Sequence, residues 1–177
     1  MHYFLKKAQQ TAWNLSIDAQ GSLCDKSTGA MTTFQLNGHD VQTGEEERNT
    51  PLIYILRSPS IGDMTPKLGC GLEQCGACRV LVDSEAVYGC TLPTSAVQSR
   101  HVETAAGLDT PVRQALIEAN ATQCGYCLPG IIVTAEALFR TNPHPSRVEI
   151  AHVLDSQLCR CGSQPRVLKT LTELARK

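Results

Sequence analysis

Eight cysteines in two separated sets constrain this chain more than any other feature of its sequence. The first set lies in LGCGLEQCGACRV and in YGC, and the second combines QCGYC with LCRCG. The 177 residues contain nine cysteines in total, an odd number for a complete disulfide framework. Disulfides are also rare in the reducing compartment that we expect here, so metal or iron–sulfur ligation is the favoured role. The ninth cysteine, Cys24, matches no ligand position and is expected to be a free thiol.

The first set has the spacing C-x4-C-x2-C, followed by one more cysteine after eleven intervening residues. Its members are Cys70, Cys75, Cys78 and Cys90. This is the spacing of plant-type [2Fe–2S] proteins, in which a glycine-rich loop supplies three sulfurs and a nearby strand end supplies the fourth. Glycines in LGCG and CGAC would let backbone N–H groups turn toward those sulfurs. A zinc ribbon is the alternative, but it typically has two C-x2-C knuckles.

The second set pairs a C-x2-C with a C-x-C across 31 intervening residues. Its members are Cys124, Cys127, Cys159 and Cys161. Both pairs fall at predicted helix boundaries, where free N–H groups favour a negatively charged cluster. Four thiolates suit a [2Fe–2S] centre, although ligand count alone leaves a structural zinc open. A thioredoxin-type redox pair is disfavoured because no βαβ pattern surrounds the motif.

The predicted elements divide the chain into a strand-rich half and a helical half. Residues 1–30 lack clear periodicity and are interpreted as an extension. Strands are predicted at 33–36, 79–82 and 101–104, with returning strands after Asn37-Gly38 and after 83–85. A short helix is predicted after Thr50, with this residue as its N-cap and Pro51 at the first helical position.

Four further helices are predicted from Thr110 onward. They begin at Pro111, span 129–140, follow a Ser146/Glu149 capping box, and begin at Pro165. In the third of these helices, Val148, Ala151 and Leu154 are expected to face inward.

Charge and hydropathy exclude several classes of function. The formal net charge is −1, which disfavours nucleic-acid binding. No apolar run approaches the ~18 residues of a membrane span. We read no secretory signal in the polar N-terminal stretch, so a cytoplasmic location is expected, and export carried by a partner would make it periplasmic.

Taken together, GCGLEQCGACRV, YGC, QCGYCLPGI and NPHPSRVEI…LCRCG resemble the small iron–sulfur subunits of the molybdenum hydroxylases, the xanthine oxidase group. The resemblance covers residues 31 to about 175. Within the group, the chain is most similar to small subunits of bacterial enzymes acting on N-heterocycles, such as nicotinate dehydrogenase and isoquinoline 1-oxidoreductase.

The resemblance implies an α+β fold and a set of ligands. The fold would be a β-grasp, [2Fe–2S] ferredoxin-like domain at 31–106 followed by a four-helix [2Fe–2S]-binding domain at 107–177. The eight cysteines of the two sets would hold two [2Fe–2S] clusters. Gln123 would contact the pterin of a partner subunit, and Arg160 would stabilise a cluster or bridge to the partner. At Arg79 the family usually has threonine.

The function implied is a non-catalytic, electron-transfer subunit of an oxidoreductase. A large partner subunit would bind molybdopterin and hydroxylate an N-heteroaromatic compound or, alternatively, an aldehyde. Electrons would pass one at a time through the two clusters to an acceptor such as FAD or haem, on a further subunit or domain.

Two other functions stay open from the sequence alone. One is a stand-alone two-cluster ferredoxin, although free ferredoxins are usually strongly acidic and this chain is almost neutral. The other is a zinc-stabilised interaction module without a redox role.

Overall fold

The computed structural model describes residues 16–17, 23–24 and 31–177. The chain divides into two compact units, Met1–Ala30 and Met31–Lys177. In the first unit, a two-residue strand β1 (Ser16–Ile17) pairs antiparallel with β2 (Leu23–Cys24). The side chain of Cys24 lies outside the described part of the structure, so the free thiol expected there stays a prediction.

The second unit has a mixed α/β fold built on a five-stranded sheet with the order β4-β3-β7-β5-β6. The strands are β3 (Thr32–Leu36), β4 (His39–Thr43), β5 (Arg79–Val82), β6 (Glu85–Tyr88) and β7 (His101–Glu103). β3 and β7 pair in parallel, and every other neighbouring pair in this sheet is antiparallel. The strands predicted from the sequence are therefore confirmed, including the two hairpins.

Both hairpins turn through residues with positive φ. Asn37 and Gly38 have φ angles of 50° and 84°, the pattern of the tight turn that Asn-Gly favours. The second turn has no glycine, yet Asp83 and Ser84 have φ angles of 48° and 72°. The Asp83 carboxylate compensates by accepting hydrogen bonds from the His101 N–H at 3.0 Å and from Arg100 Nε at 2.7 Å. These contacts anchor the hairpin to β7.

The short helix of the strand-rich half is α1 (Leu52–Leu56). Its N-cap is Pro51, so the predictions that Thr50 caps it and that Pro51 is its first helical residue are both wrong. The Thr50 carbonyl instead accepts hydrogen bonds from the N–H and hydroxyl of Thr94 at 3.0 and 2.8 Å. Pro51 also bridges to Pro93, and this pairing holds the segment before α1 extended.

Four helices form the second half of the unit: α2 (Pro111–Glu118), α3 (Leu128–Thr141), α4 (Arg147–Leu154) and α5 (Gln164–Leu174). Thr110 caps α2 by accepting from the Arg113 N–H, and Ser146 and Glu149 form the predicted capping box. Among the described residues, no helix is both long and apolar enough to cross a bilayer.

The inward face predicted for α4 is wrong in one respect. Val148 is 77% exposed, whereas Ile150 is fully buried. Positions i and i+2 of a helix are separated by about 200° around its axis, so Val148 and Ile150 lie on opposite faces. The buried Ile150 packs in the core shared with α3 and α5, which leaves Val148 on the outside.

Strand β5 is covered on both faces. Val80 and Val82 belong to an apolar core with Phe34, Leu52 and other residues of the strand-rich half. Leu81 points the other way and belongs to the core of the four helices. Because successive side chains of a strand alternate in direction, this one strand contributes to both cores.

An ion-paired cluster joins α3 to the sheet on this second face. Arg140 makes two parallel hydrogen bonds to the Glu103 carboxylate, at 2.6 and 2.9 Å. Its Nε also donates to Glu136 at 3.1 Å, and the Glu136 side chain is only 9% exposed. Bidentate Arg–carboxylate pairs are stronger than single hydrogen bonds, and they fix the orientation of the guanidinium relative to the carboxylate.

We predict that Arg140→Met destabilises the full chain by about 2 kcal/mol, between the values for exposed and buried pairs, because it leaves the nearly buried Glu136 without its cation. The measurement is thermal unfolding followed by circular dichroism at equal iron content. Lys169→Met is the matched control, since its pair with Glu173 is long, at 3.9 Å, and well exposed. Equal losses in the two variants would contradict this role for Arg140.

Candidate metal centres

The first cysteine set comes together where the loop before β5 meets the end of β6. Cys70 and Cys75 lie in that loop within hydrogen-bond reach of each other, and so do the buried side chains of Cys78 and Cys90. Pairing of β5 with β6 explains the contact of Cys78 with Cys90, because the Cys78 carbonyl accepts a hydrogen bond from the Gly89 N–H at 3.2 Å, directly before Cys90. Cys75 also lies close enough to Cys78 to affect it electrostatically. All four predicted residues are thus grouped.

Backbone N–H groups point at the sulfurs of Cys70, which is exposed, and Cys75, which is partly buried. The Cys70 Sγ accepts from the N–H groups of Leu72 at 3.3 Å and Gln74 at 3.2 Å. The Cys75 Sγ accepts from the Cys70 N–H at 3.4 Å. Gly71 and Gly76, with φ angles of 69° and 76°, provide the left-handed turns that this loop needs. The glycine-rich loop therefore does what its sequence predicts.

The thiols of this set differ in acidity. The N–H of Leu72, followed by that of Gln74, lowers the pKa of Cys70 to about 7 despite some burial. Burial raises the pKa of Cys78 to about 12. Cys70 is therefore the more acidic of these two thiols.

The second cysteine set comes together where the loop before α3 meets the loop between α4 and α5. Cys124 and Cys127 precede α3, and Cys159 and Cys161 lie between α4 and α5. The Sγ atoms of Cys124 and Cys161 are 3.6 Å apart, and the Cys127 and Cys159 side chains are within hydrogen-bond reach. The predicted convergence of these two loops is confirmed.

Acidity in the second set follows the same division. The N–H of Tyr126 lowers the pKa of Cys124, which is exposed. Burial raises the pKa of Cys127 to about 12. Burial also opposes ionisation of Cys159, but hydrogen bonds from the hydroxyl and N–H of Ser163, with those from the Cys127 side chain and the Cys161 N–H, outweigh it, and the pKa falls to about 7. The Ser163 Oγ is 3.0 Å from the Cys159 sulfur.

The thiols of each set lie in two close pairs. In each set the sulfurs are grouped two and two, as a cluster with two thiolates on each iron requires. Across residues 31–177, no group of three or more His, Cys, Asp or Glu side chains converges as ligands of one metal ion.

The two cysteine loops touch each other directly. The Leu158 N–H, next to Cys159, donates to the Cys75 carbonyl at 3.0 Å. The Tyr126 hydroxyl donates to the Leu68 carbonyl at 2.7 Å. These bonds place the two candidate centres side by side within one compact unit.

A close backbone contact beside these bonds was missed by sequence reasoning. A Cβ atom on Gly130 of α3 would lie 2.2 Å from the Gly76 carbonyl oxygen, so only glycine fits there. Gln157 packs over both glycines, is buried, and donates to the Thr134 hydroxyl at 2.8 Å. The signal for Gly130 was present in the sequence, since a glycine inside a helical pattern often marks a close contact.

Gln123 and Arg160 lie at the exposed side of the second set. The Gln123 Nε2 donates to the Cys161 carbonyl at 3.0 Å, which leaves its side-chain oxygen free to accept from outside. Gln164 donates in the same way to the Cys159 carbonyl at 3.2 Å. The amide of Gln123 is thus fixed beside the sulfurs and reachable from solvent.

The chain is 39% identical over 148 residues to a nicotinate dehydrogenase subunit of Pseudomonas putida, covering 81% of this chain and 93% of that protein. It is 40% identical over 141 residues to the alpha subunit of isoquinoline 1-oxidoreductase from Brevundimonas diminuta, covering 77% and 92%. The chain belongs to the small iron–sulfur subunits of the molybdenum hydroxylases. It is accordingly one component of an oxidoreductase.

Two further comparisons agree with this membership of the molybdenum hydroxylase small subunits. The model of the [2Fe-2S] binding domain family matches residues 100–172, which include the whole second cysteine set. The crystal structure of quinoline 2-oxidoreductase from Pseudomonas putida 86 superposes with a TM-score of 0.74 at 26% identity, covering 84% of this chain and 94% of that one. The mixed sheet-and-helix fold of the small subunit is thus shared with a solved relative.

We predict that Gly130→Ala destabilises this small subunit by about 2 kcal/mol, because the added methyl group meets the rigid Gly76 backbone. Helix propensity alone would make the same change stabilising by about 1 kcal/mol, so the sign is informative. Denaturant unfolding of the full chain measures it. Gly44→Ala is the control, since its Cβ would meet only the end of the Glu46 side chain, which can move. Stabilisation by Gly130→Ala would show that the two loops are not tightly apposed.

Proposed function

We propose that this chain is the electron-transfer subunit of a molybdenum hydroxylase. It would relay electrons singly from a molybdopterin site on a large partner subunit, through two [2Fe–2S] clusters, to an external acceptor such as FAD or haem. The observation that carries the proposal is the grouping of eight thiols into two adjacent sets, each divided two and two. When bound, each cluster supplies a one-electron carrier.

We assign the ligands residue by residue. Cys70, Cys75, Cys78 and Cys90 hold one cluster in a β-grasp, ferredoxin-like domain at 31–106. Cys124, Cys127, Cys159 and Cys161 hold the other in a four-helix domain at 107–177. The N–H groups that donate to the Cys70 and Cys75 sulfurs support this assignment, because such donors stabilise the added negative charge of a reduced cluster. Residues 1–30 are an extension to these two domains.

The direct bond between the cysteine loops supports a relay. From Cys75 to Cys159 the shortest chain connection crosses one hydrogen bond and one peptide unit, through Leu158. No mobile segment is needed between the two sets, since both lie within one compact unit. The chain's own part is therefore to hold two carriers at a fixed separation.

Exposed apolar side chains surround the cysteine loops and support docking to other subunits. Leu72, Tyr126 and Leu158 are 68%, 48% and 62% exposed. We place the large partner on the Tyr126 side, where the Gln123 amide would accept a hydrogen bond from the pterin. The near-neutral charge of the chain favours a permanent interface of this kind over a diffusing carrier. A cytoplasmic location stays part of the proposal.

An N-heteroaromatic compound is the proposed substrate class of the complex. The support is the naming of the relatives, which act on nicotinate, isoquinoline and quinoline. An aldehyde is the second candidate. The substrate site would lie on the partner, so residues of this chain do not select between the two.

We predict about four iron and four labile sulfide per chain, from two clusters of two irons each. Cys124→Ser should lose one electron paramagnetic resonance signal of the dithionite-reduced protein, and Cys70→Ser should lose the other. Both variants should retain about two iron per chain.

Cys24→Ser is the matched control for these variants, and both of its signals should persist. Stoichiometric zinc without sulfide would contradict the proposal. Loss of both signals in either ligand variant would contradict separate centres. A pair of intact clusters in a chain that never co-purifies with a molybdenum subunit would instead favour the stand-alone ferredoxin.

We predict that Gln123→Ala slows electron delivery from the partner by about tenfold, or about 1.4 kcal/mol in barrier, while both cluster signals persist. The measurement is stopped-flow reduction of the cluster absorbance by substrate in the purified complex. Gln164→Ala is the matched control, because it removes an equivalent hydrogen bond from a side-chain amide. That bond goes to the carbonyl of Cys159, which lies on the same loop as Cys161. Equal slowing in both variants would assign Gln123 a local structural role only.

A further inference from the structure

Arg79 begins β5 directly after Cys78, and its side chain reaches across to the helices. Its Nη2 donates to the Tyr88 hydroxyl at 2.8 Å and to the Ser156 Oγ at 3.0 Å, and its Nη1 lies 3.4 Å from the Ala86 carbonyl. The guanidinium carbon is 4.2 Å from the centre of the Tyr88 ring. Its Nε is buried without a hydrogen-bond partner.

The charge of Arg79 is not cancelled by a carboxylate. Throughout residues 31–177, its hydrogen bonds and its ring contact are all with neutral groups. By contrast, Arg100 is paired with Asp83 and Arg140 with Glu103 and Glu136. A buried or half-buried cation without a counter-ion exerts a stronger field on its surroundings than a paired one.

The Tyr88 ring connects the cation to one half of the first cysteine set. Arg79 and Tyr88 are direct partners across β5 and β6. The Tyr88 side chain packs against the apolar group formed by Ile53, Cys78 and Cys90. Cys78 and Cys90 are themselves buried, so salt and water screen the field between them and the guanidinium only weakly.

We propose that Arg79 raises the reduction potential of the [2Fe–2S] centre held by the first cysteine set, an inference that rests on the proposed function. Four thiolates, two sulfides and two ferric ions carry a formal charge of minus two. One electron, from the partner subunit or from dithionite, converts one ferric ion to ferrous and makes the charge minus three, with no bond broken. A fixed nearby cation favours the more negative state.

Ser156 and Tyr88 give the cation its fixed position. Arginine presents its donors in a rigid planar fork, so contacts with two groups on different elements immobilise it. Tyr88 stands on the sheet, whereas Ser156 follows α4 and precedes Cys159 by three residues. The charge is thus tied to both halves of the unit. Arg79 acts on the centre as a positioning residue, through its field.

The test is a reduction titration of the full-length, cluster-loaded chain with dithionite, followed by electron paramagnetic resonance. The relevant signal is the one that Cys70→Ser removes and Cys124→Ser keeps. Arg79→Met should lower the equilibrium constant for reduction of this centre about tenfold, a shift of about 59 mV to more negative potential. Arg79→Lys keeps the charge and should change the constant by less than about threefold, or ~28 mV. The other signal serves as an internal reference.

Arg100→Met is the matched control, because it removes a cation that is already paired on the surface. If Arg79→Met does not assemble the first centre, Arg79→Gln, which keeps donors for Tyr88 and Ser156, replaces it. Three results would overturn the inference. The reduction potential of the first centre could be unchanged in the neutral variant. It could shift equally in Arg79→Lys and the neutral variant, or the potentials of both centres could shift equally. Failure of both neutral variants to assemble the centre would also overturn it, since Arg79 would then serve assembly. Absence of the first signal in the unmodified chain would instead refute the proposed function.

Discussion

The bond from the Leu158 N–H to the Cys75 carbonyl, with the backbone contact of Gly76 and Gly130 beside it, constrains the rest of this fold. It brings the loop before β5 against the loop between α4 and α5. Electron transfer by tunnelling depends steeply on separation, so a fixed contact of two main-chain segments serves a relay better than contacts between flexible side chains. The remaining architecture, including the packing of α3 on β5, keeps these loops in register.

Each cysteine set combines a solvent-facing and a buried component. The lowered pKa of Cys70 and of Cys124 follows from N–H donors in the loops, and the raised pKa of Cys78 and of Cys127 follows from burial. Thiols that are buried as neutral groups do not oppose folding before metal arrives, whereas four buried thiolates would. In the proposed cluster-loaded protein, iron would displace the remaining protons, which would couple cluster assembly to stability.

The sequence predicted the elements and the cysteine grouping well, because both depend on local signals. The Asn37-Gly38 turn, the Thr110 cap and the Ser146/Glu149 box each satisfy backbone groups within a few residues, so their sequences determine their geometry. The errors arose where distant segments decide. Thr50 was expected to cap α1, but its carbonyl is engaged by Thr94, which is 44 residues away.

Other contacts could not be derived from sequence patterns for the same reason. The helical spacing of Val148, Ala151 and Leu154 predicts that Val148 faces inward, but the packing of Ile150 between neighbouring helices fixes the rotation of α4. The hydrogen bond between Arg79 and Ser156 joins residues 77 positions apart, and no sequence signal near either residue indicates it. Cysteine spacing is a local property of loops, whereas the groups that surround the cysteines come from the tertiary fold.

Strand β5, with Leu81 turned toward the helices and its neighbours Val80 and Val82 turned away, has an evolutionary consequence. A gene split or a recombination event between the strand-rich and helical coding regions would expose Leu81 on one product and the apolar helix residues around it on the other. The two halves are therefore expected to be inherited together. Substitutions at Leu81 and at the helix residues around it are expected to compensate one another. Swapping one half among homologues would require transplanting the lining of this strand as well.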